Sequence, residues 1–211
     1  MAIQNPVIRQ MIKSATLLSL FMLMGISLLL WVAHITQPKI EQAQKDNLIK
    51  TFNQIIPHSE YDNDPLNDTL IIKAPKSLAL LGTRTPVTIY RLRKNGRPVA
   101  AIFPITAPDG YSGPIKLLIG IYRNGRIAGV RVLEERETPG LGDKIELKKS
   151  PWILSFNGRQ LTPENESRWA VKKDHGMFDQ FTGATITPRA VVKAIKHALI
   201  FVNQMGDKLY E

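Results

Sequence analysis

The stretch of this 211-residue chain with the densest chemical content is DQFTGATITPRAVV, Asp179 to Val192. Three hydroxyls, those of Thr182, Thr185 and Thr187, surround Gly183 and Ala184 just ahead of a run with helical spacing. Thr187-Pro188 is a good helix start, because a Thr hydroxyl at the cap accepts from an orphan backbone N–H and Pro at the first helical position gives up nothing. Thr-Gly-Ala-Thr then sits at a helix N-terminus, where free N–H groups, the positive end of the helix dipole and a flexible glycine favour a phosphate oxygen. The same residues also suit plain capping without a ligand, and the tetrapeptide by itself does not separate the two.

Two further loops have the composition to approach a flat ligand. Glu137-Thr138-Pro139-Gly140-Leu141-Gly142 is turn-rich and apolar, with glycines that permit close backbone approach, although it also reads as a simple loop between strand and helix. Tyr111-Ser112-Gly113 is a turn whose Tyr111 either stacks on a ring or fills a core. Trp152 and Trp169 either serve likewise or pack in the core, and core packing is the preferred assignment for both.

The remaining composition excludes several chemistries. Cys is absent, which removes disulfides, cysteine-ligated iron–sulfur clusters, thioether haem, thiol nucleophiles and cysteinyl cofactor links. His34, His58, His175 and His197 lie far apart and lack metal-ligand spacing, so no metal site is expected. No G-x-G-x-x-G follows a strand, so direct nicotinamide chemistry is not expected. The net charge of +10 suits acidic partners. Those charges form no run and no aromatic-interleaved groove, so nucleic acid is not among the expected partners.

The elements that must hold these residues begin with a membrane segment. ATLLSLFMLMGISLLLWVA, Ala15 to Ala33, is an uninterrupted apolar run of spanning length. Arg9 and Lys13 precede it without acidic residues, which keeps the N-terminus cytoplasmic and sends the remainder across. The run exceeds the core of a cleaved signal, and WVAHITQPK is a poor cleavage site, so it is read as an uncleaved anchor. Gln37-Pro38 punctuates the exit, and apolar residues at Ile40, Leu48, Phe52 and Ile55 or Ile56 predict a linker helix stopped by Pro57.

Thr69 to Ala74 and Val87 to Leu92 read as strands. Asn95-Gly96 and Asn124-Gly125, each flanked by strand-like runs, predict two hairpins with two-residue turns and hence an antiparallel sheet. LGDKIELKKSPWILSF is expected to start helical and break at Pro151. The segment from Pro188 onward, with Val191, Val192, Ile195, Leu199 and Val202 on one side, predicts an amphipathic helix closing the sheet. The fold class is therefore α+β, with the chain divided as 1–14 cytoplasmic, 15–33 transmembrane, 34–56 exit and linker helix, and 57–211 the extramembrane domain with an antiparallel sheet and flanking helices.

Asp179-x-x-Thr182-Gly183-Ala184-Thr185 resembles the flavinylation motif of covalent FMN-binding domains. Three further blocks extend the likeness over nearly the whole chain in the expected order: Thr106-Ala107-Pro108-Asp109-Gly110-Tyr111-Ser112-Gly113, Glu137 to Glu146, and Val171-Lys172-Lys173-Asp174. Together they resemble the G subunits of Rnf-type electron transport complexes and, more distantly, the C subunits of sodium-translocating NADH:quinone reductases. One departure is Phe181, where the family's motif often has a small residue.

The resemblance implies an FMN joined to Thr185 by a phosphoester, attached by a separate flavin transferase. It also implies partner subunits in a bacterial inner membrane, a periplasmic domain, and an electron carrier within a translocase rather than a stand-alone enzyme. By the same resemblance Asp179, Thr182, Gly183, Ala184 and Thr187 surround the attachment point, while residues 137–142 and 111–113 border the ring. The alternative from the residues alone is a membrane-anchored periplasmic module that binds an anionic ligand and has no redox role.

Overall fold

A computed structural model describes residues 6–211, so the first five residues of the expected cytoplasmic stretch lie outside the described residues. The chain divides into two units, one ending at Ile49 and the other comprising Lys50–Glu211. Helix α1, Pro6–Ile55, runs without interruption through 50 residues, and among the described residues it alone is long and apolar enough to cross a membrane. The expected break at Gln37-Pro38 is absent: Pro38 lies inside the helix. Proline removes one N–H and its bond to the carbonyl four residues back, but its fixed φ is helical, and strong helix formers on both sides carry the helix through.

In the second unit, five strands form an antiparallel meander in the order β1 to β5. They are β1 Thr69–Ile72, β2 Val87–Lys94, β3 Arg97–Ala107, β4 Ile115–Tyr122 and β5 Ile127–Glu134. The first hairpin turns on Asn95 and Gly96, both at positive φ (52° and 72°), as a two-residue primed turn requires. The second differs from expectation. The Tyr122 N–H bonds Arg126 O, and only Gly125 has positive φ (80°), which makes a three-residue loop ending in a left-handed glycine. The shared Asn-Gly tips are thus built in two ways.

Strand alternation buries both sheet faces. Ile89, Phe103, Ile105, Leu117 and Ile119 belong to the core shared with helix α3, Ile186–Met205, whose Phe201 meets Phe103 edge-on at 5.8 Å between ring centres. On the opposite alternation, Leu92, Ile102 and Leu118 are buried along with Phe52 and Ile56, and Phe52 packs on Tyr90 at 5.0 Å. Gly120 and Gly129, directly paired across β4 and β5, seat Ile55. A Cβ at Gly120 would fall 2.4 Å from the Ile55 Cγ2 methyl, and one at Gly129 would fall 3.5 Å from Ile55 Cα.

Between β5 and α3 the chain has little regular structure. The expected helix from Leu141 is replaced by short 3₁₀ segments at Gly142–Ile145 and Pro151–Phe156. Ile145 is buried while Leu147 is 37% exposed and Glu146 is extended, so this stretch has no apolar stripe to dock as a helix before Pro151. Aromatic packing holds the segment instead. Trp152 meets Phe156 and Phe181 edge-on at 5.3 and 5.2 Å, and Phe156 stacks on Phe178 at 4.5 Å. Both tryptophans are buried as expected, and the Trp152 Nε1 donates to Asp179 O at 2.8 Å.

The Gly120 notch is testable. Gly120→Ala is expected to overpack against Ile55 and cost about 1–3 kcal/mol, read by denaturant unfolding of the full chain in detergent through tryptophan fluorescence. An unchanged midpoint would show that Ile55 does not need the notch.

Candidate functional site

Helix α3 begins two residues earlier than expected. Thr185 occupies the cap with helical φ and ψ (−75°, −29°), its carbonyl receives the Arg189 N–H at 3.3 Å, and Ile186 starts the helix. Pro188 is tolerated one turn in because the first N–H groups of a helix lack internal partners anyway. Thr187 is therefore not the cap. It is buried at 1% exposure, and its hydroxyl donates a short hydrogen bond to Glu137 Oε2.

The three threonines of the motif are thereby distinguished. The Thr187 hydroxyl is consumed by Glu137. Thr182 is exposed in a turn closed by the Ala184 N–H bonding Phe181 O at 3.1 Å. Gly183 occupies the turn position at φ 82°, which a residue with a Cβ rarely adopts. The Thr185 hydroxyl makes no capping bond, and among the described residues it has no hydrogen-bond partner. Phe181, the bulky departure, is buried against Trp152 and anchors this turn in the aromatic cluster.

Thr185 lines a cavity of about 610 Å³ together with Tyr111, Glu137, Thr138, Leu141, Gly142, Lys173, Gly183, Ala184, Ile186 and Thr187, a volume within the range of small-molecule and cofactor sites. Three sequence-distant loops meet at Glu137, which is 4% exposed. Its Oε1 accepts from the Ser112 N–H at 3.0 Å, and its Oε2 accepts from the Tyr111 N–H at 3.2 Å and from Thr187. A buried carboxylate is stable only when paired in this way. Close packing at this junction requires Gly142, because a Cβ there would lie 2.8 Å from both Glu137 Cβ and Thr187 Oγ1.

Just outside the cavity the charges have defined environments. Burial raises the Glu135 carboxyl above the usual range; the Glu137 N–H opposes that shift and the neighbouring Glu146 and Asp143 reinforce it. Arg189 holds Asp174 below the usual range through bonds of 2.6 and 2.7 Å.

Of the residues singled out from the sequence, Tyr111, Glu137, Thr138, Leu141, Gly142, Gly183, Ala184, Thr185 and Thr187 line the cavity. Ser112, Gly113, Pro139, Gly140, Asp179 and Thr182 are outside its lining. A Cβ at Gly140 would meet nothing within 4 Å; only its φ of 79° calls for glycine. Tyr111 is 67% exposed, so it is not a core residue. Asp179 pairs with Lys172 at 2.5 Å and braces the loop from outside. Two lining residues, Lys173 and Ile186, are not among those singled out. Lys173 sits in the quoted Val-Lys-Lys-Asp block, but no local spacing ties it to a residue twelve positions later, and Ile186 is hidden by placing the helix start too late.

The cavity lining combines apolar and polar side chains. Leu141, Ile186 and Tyr111 are 41%, 45% and 67% exposed, and Thr185 and Lys173 supply polar groups. Such a lining suits a ligand that carries both an apolar body and an anionic group.

Comparison with known families agrees: residues 110–200 match the family described as FMN-binding domain, and residues 1–55 match the RnfG N-terminal region. The described residues thus comprise a flavoprotein-type domain and one membrane-length helix. It is 44% identical over 198 residues to the G subunit of the ion-translocating oxidoreductase complex of Vibrio cholerae, covering 94% of this chain and 93% of that protein. It is 46% identical over 198 residues to the corresponding protein of Pseudoalteromonas atlantica (94% and 91%) and 45% over 201 residues to that of Pseudomonas aeruginosa (95% and 92%). The chain belongs to the family of ion-translocating oxidoreductase complex G subunits.

Glu137→Gln keeps the side-chain shape but replaces one accepting oxygen with a donor, so the N–H of Ser112 or of Tyr111 loses its partner, while the Thr187 hydroxyl can turn to accept. The expected cost is about 1–3 kcal/mol, accompanied by faster amide exchange at Tyr111 and Ser112. Unchanged exchange at both amides would show that Glu137 does not tie the loops together.

Proposed function

We propose that this chain is the flavoprotein subunit of an ion-translocating electron transport complex, carrying electrons on an FMN joined to Thr185 through a phosphoester. The reading rests above all on Thr185: of the motif's three threonines, it alone lines the cavity with its hydroxyl unengaged. Gly183 and the first N–H groups of α3 lie beside it, where a phosphate is favoured by unsatisfied donors and the helix dipole. Leu141, Ile186 and Tyr111 would hold the ring, and the FMN would supply the electron-accepting chemistry when bound.

Glu137, the one acidic residue lining the cavity among those described, already accepts from three donors and is not a free base for Thr185. Attachment by a separate flavin transferase fits that arrangement. The partners are the complex's other membrane subunits. The anchor is single-pass in the inner membrane, with Arg9 and Lys13 retained in the cytoplasm and the flavin domain in the periplasm. A covalent link suits that side, where a lost flavin is not readily replaced.

Thr185→Val keeps the branched shape and removes only the hydroxyl. Co-expressed with a flavin transferase, wild type should gain the mass of one FMN less one water on the peptide bearing Thr185, and Thr185→Val should gain none. Thr182→Val should stay flavinylated. Thr187→Val should also stay flavinylated while losing about 1–3 kcal/mol of stability with its bond to Glu137. Flavin on Thr182 or Thr187 would overturn the assignment, and none at all in wild type would favour the anion-binding module without redox function.

Topology is checked separately. Protease added to spheroplasts should digest the domain after Pro57, and full protection would reverse the proposed orientation.

A further inference from the structure

We infer that Lys173 is the counter-charge for the cofactor's phosphate, a positioning role that rests on the FMN reading above. Lys173 is the central residue of the Lys172–Asp174 turn, and both flanking charges are already engaged. Lys172 Nζ pairs with Asp179 Oδ1 at 2.5 Å, on the loop that leads into Thr185. Asp174 receives both Nε and Nη2 of Arg189, one turn into α3 beyond Thr185. The Lys173 N–H donates to Gln180 Oε1 at 3.2 Å, which ties the turn's backbone to the same loop.

Lys173 makes no salt bridge among the described residues beyond its charge acting on the adjacent Asp174, and it lines the cavity with Gly183, Ala184 and Thr185. It is also the one cationic residue in that lining. The cavity's single carboxylate, Glu137, is saturated by its three donors and does not compete for the ammonium.

The helix start makes a separate cation useful. Pro188 removes one of the free N–H groups that the N-terminus of α3 would otherwise present to an anion. A phosphoester between Thr185 and FMN retains one negative charge, and a lysine ammonium answers it as a point charge without demanding fixed geometry. The two flanking ion pairs join the turn to the loop before Thr185 and to α3 after it, and Lys173 between them lines the cavity with Gly183, Ala184 and Thr185.

The test uses the full chain in detergent, co-expressed with a flavin transferase. Intact mass first establishes whether wild type is flavinylated, and an unmodified wild type would refute the FMN reading itself. In loaded protein at neutral pH, the ³¹P resonance of the phosphoester is compared among wild type, Lys173→Met, Lys173→Arg and Lys172→Met. The expected result is a displaced resonance in Lys173→Met alone, with the visible flavin absorption unchanged because the contact is to phosphate rather than ring. Lys173→Met that fails to load while Lys173→Arg loads would also support the role, since Arg keeps the positive charge that Met lacks. A resonance unmoved in loaded Lys173→Met, an altered flavin absorption with an unmoved resonance, or loss of loading in Lys173→Arg would each overturn it.

Discussion

A carboxylate removed from water must find donors, and Glu137 finds them on three pieces of chain that are far apart in sequence. The Tyr111 and Ser112 N–H groups come from the connection between β3 and β4, the hydroxyl of Thr187 comes from the first turn of α3, and Glu137 itself follows β5. Most of the cavity lining belongs to these pieces or adjoins them directly in sequence, Lys173 being the exception. Removing any donor leaves a buried charge short of a partner, which costs more than the bond is worth when made. The junction also leaves no room for a side chain at Gly142, so the glycine is a packing requirement there and not a hinge.

That single knot matters because the scaffold around it is lopsided. The five-stranded meander and α3 supply backbone ladders and a conventional core. The segment from Glu135 to Thr185 supplies most of the cavity and has almost no ladders of its own. Side chains replace them: the Trp152, Phe156, Trp169, Phe178 and Phe181 cluster buries the loop's inner surface, and the Trp152 indole N–H holds the Asp179 carbonyl. Aromatic rings bury large areas and constrain their neighbours through preferred geometries, so a loop can be as fixed as a strand where it must present a hydroxyl.

Much of the frame is legible in the sequence because it depends on local rules. The apolar run after Lys13, both hairpins and the amphipathic stripe through Val191, Ile195 and Leu199 follow from composition and period alone. Pro38 misleads because a proline is a statistical punctuation mark, while its φ remains helical. The late placement of the α3 start has a similar origin. Thr-Pro is a common helix entry, but the competing use of the Thr187 hydroxyl by Glu137 lies fifty residues away and has no local trace. Lys173 is invisible for the same reason. Its neighbours pair with Asp179 and Arg189, which the folded loop brings to them. Contacts between distant segments decide the site, and a pattern read along the chain does not contain them.

The motif's threonines show what those contacts accomplish. Read as a string, Thr182, Thr185 and Thr187 are near-equivalent alcohols within six residues. In the folded chain one is turned out on a tight turn, one is spent on a carboxylate, and one lines the cavity with its oxygen unengaged. On the proposed reading, selectivity for Thr185 then needs no activating base on this chain, because the competing hydroxyls are occupied or misplaced before any transferase arrives. On that reading the fold would select the attachment point by removing the alternatives, and Glu137 would contribute by engaging the Thr187 hydroxyl.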